Sequence, residues 1–451
     1  MLDRAAFCAA VIGAIAAGGA AHAQATAPLP ASAVLIEDVR MFDGKGDTLS
    51  APLSVLVVGN KISRISAGRI AAPEGVELTT IKGGGRTLMP GLIDNHVHVT
   101  LSANTQQDAL DPKVTLETIN ARAIEEARQV LLRGFTSVRD MGGPVFDLKR
   151  SIDQGRSPGP RIYPSGAMIS QTSGHGDFRA PDEPSRRFGG KASCGELMNA
   201  AYIADGRDEV LTATRENLRG GSSQIKLMAG GGAASAYDPL DVAQYTLDEM
   251  KAAVEAAADW GTYVTVHAYT PRAVRRAVEA GVKCIEHGQL LDEATLKLLG
   301  DKGIWLSLQV LDPAPETAPA GVRAKKGEVI DGTDNAYRWA KKYKVKLAWG
   351  TDFLFNPAQN RNQNADILKL RRWFTPAEML KMVTRGNAQL LALSGARNPY
   401  PGKLGVVEVG ALADLLLVDG DPLTDIGLMA DPGKNLLVVM KDGQIYKNQL
   451  R

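Results

Sequence analysis

Between residues 89 and 398 the chain alternates short apolar β-type runs with longer amphipathic stretches, and this alternation constrains the fold more than any other feature. The runs fall at 92–96, 137–140, 161–165, 224–228, 263–267, 284–287, 305–308 and 346–351, with helical stretches such as 116–133, 247–260 and 292–299 between them. A strand that must cross over through a helix before it meets the next one pairs in parallel. Eight such units in series predict a (β/α)8 TIM-like barrel over 89–398. The alternative is a doubly wound sheet, which would carry a glycine-rich nucleotide turn after its first strand. Here His96-Val97-His98 stands in that place.

Both ends have a different texture. Short β runs at 34–36, 54–58 and 61–65 are punctuated by Gly and Asn, and two more follow at 414–418 and 436–440, the second closing on Asp442-Gly443. Such punctuation marks hairpins. The expectation is a small β-sandwich domain assembled from both chain ends, 24–88 and 399–451. Ahead of it, Arg4, an apolar run rich in Ala and Gly, and Ala21-His22-Ala23 have the order of a secretory signal peptide spanning 1–23. The run is too short and too rich in small residues for a membrane anchor. The expected product is exported, periplasmic or secreted, with no stable membrane insertion after signal removal.

Six histidines occur in the whole chain, and one of them, His22, lies in the leader. Of the other five, His96, His98, His267 and His287 fall at the ends of predicted strands, and Asp352 follows the last. In a barrel, those ends form the face that carries chemistry. His96 and His98 are two residues apart on an extended segment, so their side chains share one face and make a pincer for a cation. Singly, each histidine reads as a satisfied core residue and Asp352 as a helix cap. Their joint placement predicts a metal site. Lys226 lies inside the apolar run Ile225-Lys226-Leu227-Met228, where an ammonium is costly unless neutralised or used. A desolvated lysine amine with a lowered pKa can add CO₂, and the carbamate offers two oxygens that can bridge two cations.

These motifs resemble those of the amidohydrolase superfamily over nearly all of 24–451. Pro90-Gly91-Leu92-Ile93-Asp94-Asn95-His96-Val97-His98 is similar to that family's first-strand signature, and Gly405-Val406, Val409-Gly410, Ala413-Asp414-Leu415 and Asp419 are similar to its return into the β domain. Lys226 with the glycines after it, and Thr172-Ser173-Gly174-His175-Gly176-Asp177, resemble the imidazolonepropionase-related branch. That branch includes Xaa-Pro dipeptidases, other carboxypeptidase-like dipeptidases and ochratoxin-hydrolysing amidases. The resemblance implies two Zn²⁺, one on His96, His98 and Asp352 and the other on His267 and His287, bridged by carboxylated Lys226 and a hydroxide. Cations about 3.5–4 Å apart would acidify that water and polarise the scissile carbonyl. Asp352 would act as general base and then acid. Zinc suits the imidazoles, and cobalt or manganese could replace it.

His175 and Tyr237 are the candidates for contact with the substrate carbonyl, and Arg179, with Arg186 and Arg187 in the same loop, for a substrate carboxylate. The segment 311–337, rich in Pro, Ala and Gly, is expected to be a long connection that covers the site. Cys194 and Cys284 could pair in an exported protein. The formal charge of +2, without long runs of one sign, gives no reason to expect nucleic acid. The partner expected is a small-molecule amide, and the resemblance favours a homo-oligomer. Three functions stay open. They are hydrolysis of a linear amide in a dipeptide or N-acyl amino acid, opening of a cyclic amide or lactone, and metal binding by a degenerate site.

Overall fold

The computed structural model describes residues 32–111, 113–235 and 237–450; the leader expected at 1–23 lies outside them. Among the described residues no helix is long and apolar enough to cross a membrane.

The two chain ends build one seven-stranded mixed sheet. Its order runs Gln444–Asn448, Leu436–Lys441, Leu415–Val418, Glu77–Pro90, Ser32–Met41, Leu53–Val58, Lys61–Ser66. The N-terminal strands reach the C-terminal ones through Glu77–Pro90, which pairs in parallel with Ser32–Met41 and antiparallel with Leu415–Val418. The sheet folds over its own core. Val55, Val57 and Ile62 from one side share a cluster with Leu415, Leu417, Val438 and Met440 from the other. Ile62 N–H donates to Ala411 O (3.0 Å) and Ala413 N–H to Asn60 O (2.9 Å) where the two sides meet. This layering gives the β-rich domain expected from the alternating sequence.

Glu77–Pro90 leads through Gly91 straight into the first barrel strand, Leu92–Val97. A Cβ on Gly91 would stand 2.1 Å from Thr136 Oγ1, so only glycine allows this approach between β domain and barrel. The barrel strands are Leu92–Val97, Phe135–Asp140, Arg161–Pro164, Ile225–Met228, Val264–Ala268, Cys284–His287, Trp305–Leu308 and Lys346–Trp349. They match the eight expected runs within a few residues. All the ladders among them are parallel. Two seams lack a regular ladder, and a lone backbone hydrogen bond crosses each. Ser223 N–H donates to Pro164 O (2.7 Å), and Asp352 N–H to His96 O (2.8 Å). At the second seam Asn387 Nδ2 donates to both Ile93 O (2.7 Å) and Trp349 O (2.8 Å). Gly350 makes the close approach possible there, since a Cβ would meet His96 N at 2.4 Å.

Two three-residue strands, Met168–Ser170 and Ala201–Ile203, extend the sheet beside Ile225–Met228 and were not expected. The helices between strands start where caps are written in the sequence. Thr246 and Glu249 form a capping box for Leu247–Asp259, and Asp292 caps Glu293–Lys302. Two expectations need correction. The segment 311–337 is not an irregular connection throughout, because a helix, Ala320–Lys342, occupies most of it. Its glycines lower helix propensity, but Val329, Thr333, Ala336, Tyr337 and Ala340 recur at helical spacing and are all buried, and that packing prevails. Cys194 and Cys284 do not pair: the first is exposed, the second buried, and both are free.

Candidate metal centre

The barrel interior is polar just beneath the strand ends. Arg139, on the second strand, donates to Asn95 O (2.7 Å) and to Glu286 Oε1 (2.5 Å). Thr265 Oγ1 donates to the same carboxylate oxygen (2.5 Å), while Glu286 Oε2 faces His96 Nδ1 at 2.8 Å. Burial alone would raise the Glu286 carboxyl. Arg139 and then His96 outweigh it and hold the group well below the usual carboxylate range. Glu286 is ionised, and its acceptor-only oxygen fixes the proton of His96 on Nδ1.

This assignment determines what lies above. With Nδ1 protonated, His96 Nε2 is a bare lone pair, and it points at Asp352 Oδ1 from 3.3 Å. His98 has the same arrangement: Nδ1 meets Gly142 O at 2.9 Å, and Nε2 lies 3.3 Å from the same Asp352 oxygen. Two imidazole lone pairs and a carboxylate oxygen thus converge with no hydrogen between them, a repulsive set unless a cation joins them. Burial, only partly offset by Asp352, pushes His96 down to about 4, so its imidazole is neutral at pH 7. Burial raises the Asp352 carboxyl, yet the neighbouring His96, His98 and His287 outweigh it and hold the group well below the usual carboxylate range.

The other half holds His267 and His287. His267 Nε2 lies 3.0 Å from Gly231 O, which places its proton there and leaves Nδ1 free. His287 Nδ1 is buried without a hydrogen-bond partner, 3.9 Å from Asp352 Oδ2. The two rings meet edge to face at 4.4 Å between centroids. Burial pushes His287 to about 3 and His267 well below its usual value. His96, His287 and Asp352 each offer a ligand atom within 4.8 Å of the other two. Nitrogen and carboxylate donors in this geometry, with an orphaned buried imidazole nitrogen among them, fit a divalent metal. His287 and Asp352 both sit at positive φ, 75° and 55°. That conformation is costly for a residue with a Cβ, and it turns each side chain off the end of its strand into the site.

Lys226 is 1% exposed in the strand Ile225–Met228. Burial lowers its pKa, against the raising influence of Glu286 and Asp352. All six residues singled out as ligands therefore meet at the C-terminal face. His175 joins them, its ring stacked on His267 at 4.1 Å, with Nδ1 2.9 Å from Asp238 Oδ2. Tyr237 precedes Asp238 on the same loop, and its side chain is 61% exposed. The arginines of the 178–190 loop are already engaged. Arg179 forks onto Asp177 (2.8 and 2.5 Å), Arg186 pairs with Glu196 and Arg187 with Glu209. A substrate carboxylate at Arg179 would have to displace Asp177.

Sequence reasoning missed the supports. Glu286 and Arg139 carry the same signal as Lys226, a charge inside a buried strand run. Asp94 accepts from His96 N–H and Thr351 N–H, both at 3.1 Å, and from Gln363 (3.0 Å). Asp140 accepts from Val99 N–H (2.8 Å) and Gly142 N–H (3.2 Å). These two carboxylates shape the backbone around His96 and His98. Asp238 had no signal beyond its place after Tyr237.

The sequence profile of the amidohydrolase family matches residues 87–446. The ochratoxinase of Aspergillus niger is 32% identical over 375 residues, covering 80% of this chain and 75% of that protein. Among solved structures, a prolidase complexed with N-methylphosphonate-L-proline superposes with a TM-score of 0.84 at 33% identity, over 93% of this chain and 100% of that one. A Xaa-Pro dipeptidase with methionine bound in its active site gives 0.77 at 29% identity, over 92% and 100%. With a metal-fitting site at the mouth of a barrel that carries a β domain from both its ends, the chain belongs to the amidohydrolase family and is an amide-hydrolysing enzyme.

Proposed function

We propose that the chain is a binuclear-metal-dependent hydrolase that cleaves the amide bond of a small carboxylate-bearing substrate, a dipeptide or an N-acyl amino acid, including aromatic amides of the ochratoxin type. The observation that carries this reading is the convergence of His96 Nε2, His98 Nε2 and Asp352 Oδ1, with His267, His287 and Lys226 beside them. The relatives support the substrate class: one is named for ochratoxin, one is a prolidase complexed with N-methylphosphonate-L-proline, and one is a Xaa-Pro dipeptidase. The leader at 1–23 adds export to the proposal.

His96, His98 and Asp352 would hold one cation and His267 and His287 a second. Lys226 would stand between them as its carbamate, the amine bonding to CO₂ and losing a proton. Divalent cations, zinc by the nature of the donors, supply the Lewis acidity that polarises the scissile carbonyl and acidifies a water. Asp352, kept ionised by its histidines, takes the proton of the attacking water and returns it to the leaving amine nitrogen. Asp238 holds the Nδ1–H of His175 and leaves Nε2 free for the substrate.

The test is a hydrolysis screen of zinc-loaded protein, read by mass spectrometry. The panel holds dipeptides across all C-terminal residues, N-acyl amino acids, lactones and cyclic imides. Release of a free amino acid is expected, with turnover lower by about 10²–10⁴ in Asp352→Asn. Turnover of lactones or cyclic imides alone would replace the substrate class. Activity unchanged in Asp352→Asn would remove the mechanism.

A further inference from the structure

One lysine that is not among the metal ligands is bound to the loop that orients two of the imidazoles. Lys325 projects from the early part of the helix Ala320–Lys342. Its Nζ donates to the carbonyl oxygens of Gly232 (2.7 Å), Ser235 (2.6 Å) and Asp238 (3.0 Å). An ammonium has three donors, and this one gives all of them to a single short stretch of backbone.

That stretch ties down both His267 and His175. Gly231 O receives the Nε2–H of His267 at 3.0 Å. Asp238 Oδ2 receives Gly232 N–H at 2.6 Å and His175 Nδ1 at 2.9 Å, and the Ser235 hydroxyl also bonds the Asp238 carboxylate. His175 lies so close to the loop that a Cβ on Gly232 would stand 1.8 Å from its Cε1. Among its described residues the loop is irregular from the end of Ile225–Met228 to the helix Leu247–Asp259, apart from an isolated bridge between Gly230 and Ala243.

The helix does not need the lysine in order to dock. Val329, fully buried, packs with Ala233, Leu240 and Tyr269, and Thr333, Ala336, Tyr337 and Ala340 continue the buried stripe. The lysine's three bonds therefore act on the loop rather than on the placement of the helix.

We propose that Lys325 is a positioning residue for amide hydrolysis: it fixes the 231–238 loop so that Asp238 holds His175 at constant geometry over His267 for contact with the substrate. The proposal rests on the reading of His175 as a substrate contact. Lys325→Met keeps the aliphatic stem and removes the donors. A displacement of about 1 Å away from the chemistry costs on the order of 10- to 100-fold in rate. Lys325→Met is accordingly expected to lower kcat by 10- to 100-fold, with KM changing less. Lys325→Arg restores part of the loss, and amide deuterium exchange over 231–238 quickens in the Met variant.

A double-mutant cycle with His175→Ala tests the route. If Lys325 acts through His175, the double variant is no slower than His175→Ala alone to within about threefold, since residues in one network do not add. Multiplying losses, or unchanged exchange in the loop, would overturn the proposal. Should His175→Ala itself keep full activity, the substrate-contact reading fails and the proposal falls with it, a result distinct from failure of the cycle. If Lys325→Met does not accumulate folded, Lys325→Gln, which retains donors on a shorter stem, takes its place in the same measurements.

Discussion

The two halves of the proposed metal centre are built differently. In one, His96 and His98 each have Nδ1 satisfied by the protein and both turn Nε2 onto a single Asp352 oxygen. The support comes from the barrel itself, through Glu286, Arg139, Asp94 and Asp140. In the other half the imidazoles lean on one another. His175 stacks on His267, His267 meets His287 edge to face, and Tyr269 stacks on His287 at 5.1 Å. His287 Nδ1 has no partner, and His267 is held from a loop. The first half is organised for a cation before one arrives. The second depends on Lys226 and on the loops around it.

The largest effect should appear where the halves join. Replacing Lys226 with Ala removes the only side chain expected to reach both cations. Metal analysis should then show a stoichiometry falling from two towards one, with the site on His96, His98 and Asp352 retained. Turnover should drop by about a thousandfold, which corresponds to about 4 kcal/mol in the barrier. Short carboxylic acids should return part of it by standing in for the carbamate. Two metals and normal turnover in Lys226→Ala would mean that the halves are independent and the bridge does not exist.

A smaller effect is expected from the brace beneath the first half. Glu286→Gln leaves Arg139 buried with its charge uncompensated, and breaking a buried pair in this way costs about 3–5 kcal/mol of stability. It also loosens the tautomer of His96, and loss of such an outer partner lowers metal affinity by about 10- to 100-fold. Thermal unfolding and zinc titration measure the two. If the variant keeps its stability and binds both metals as before, the rigidity of this half has another source.

The contrast also explains what could be read from the sequence. The candidate ligands were legible because each is an ionisable or imidazole residue in or at the end of an apolar run, and the barrel brings such runs to one face. Glu286 and Arg139 were equally visible as charges in buried strands, but their partners depend on which strands close the barrel, which the linear pattern does not state. The second half was harder to see. Asp238 and Lys325 lie 87 positions apart in loop and helix, and a Pro- and Gly-rich stretch concealed the helix that carries Lys325. The short strands Met168–Ser170 and Ala201–Ile203 have too few residues to show an alternation.

The smallest effect is on the pH dependence of the metal-free protein, and it separates the halves by sign. His96 is lowered from 6.5 to about 4 and His287 to about 3, both chiefly by burial. Between these values and 6.5 the unfolded chain binds more protons than the folded one, so stability falls as pH falls. From pH 6.5 to 5 this amounts to about 2 kcal/mol for each histidine. Asp94 and Asp140, in the first half only, are raised by burial to about 6. Below that pH the folded protein binds more protons than the unfolded at these carboxyls, so acidification returns stability until about pH 4. The first half thus offsets its own acid cost, while the second, with His267 also lowered, does not. Unfolding temperatures of the metal-free protein should begin to fall as pH drops through about 6.5, and below 6 they should fall less steeply than the histidines alone would give. His287→Gln should flatten the curve further, and Asp94→Asn should steepen its lower part by removing a compensating group. A steeper curve in His287→Gln, or no change in Asp94→Asn, would show that the proton balance is not divided between the halves in this way.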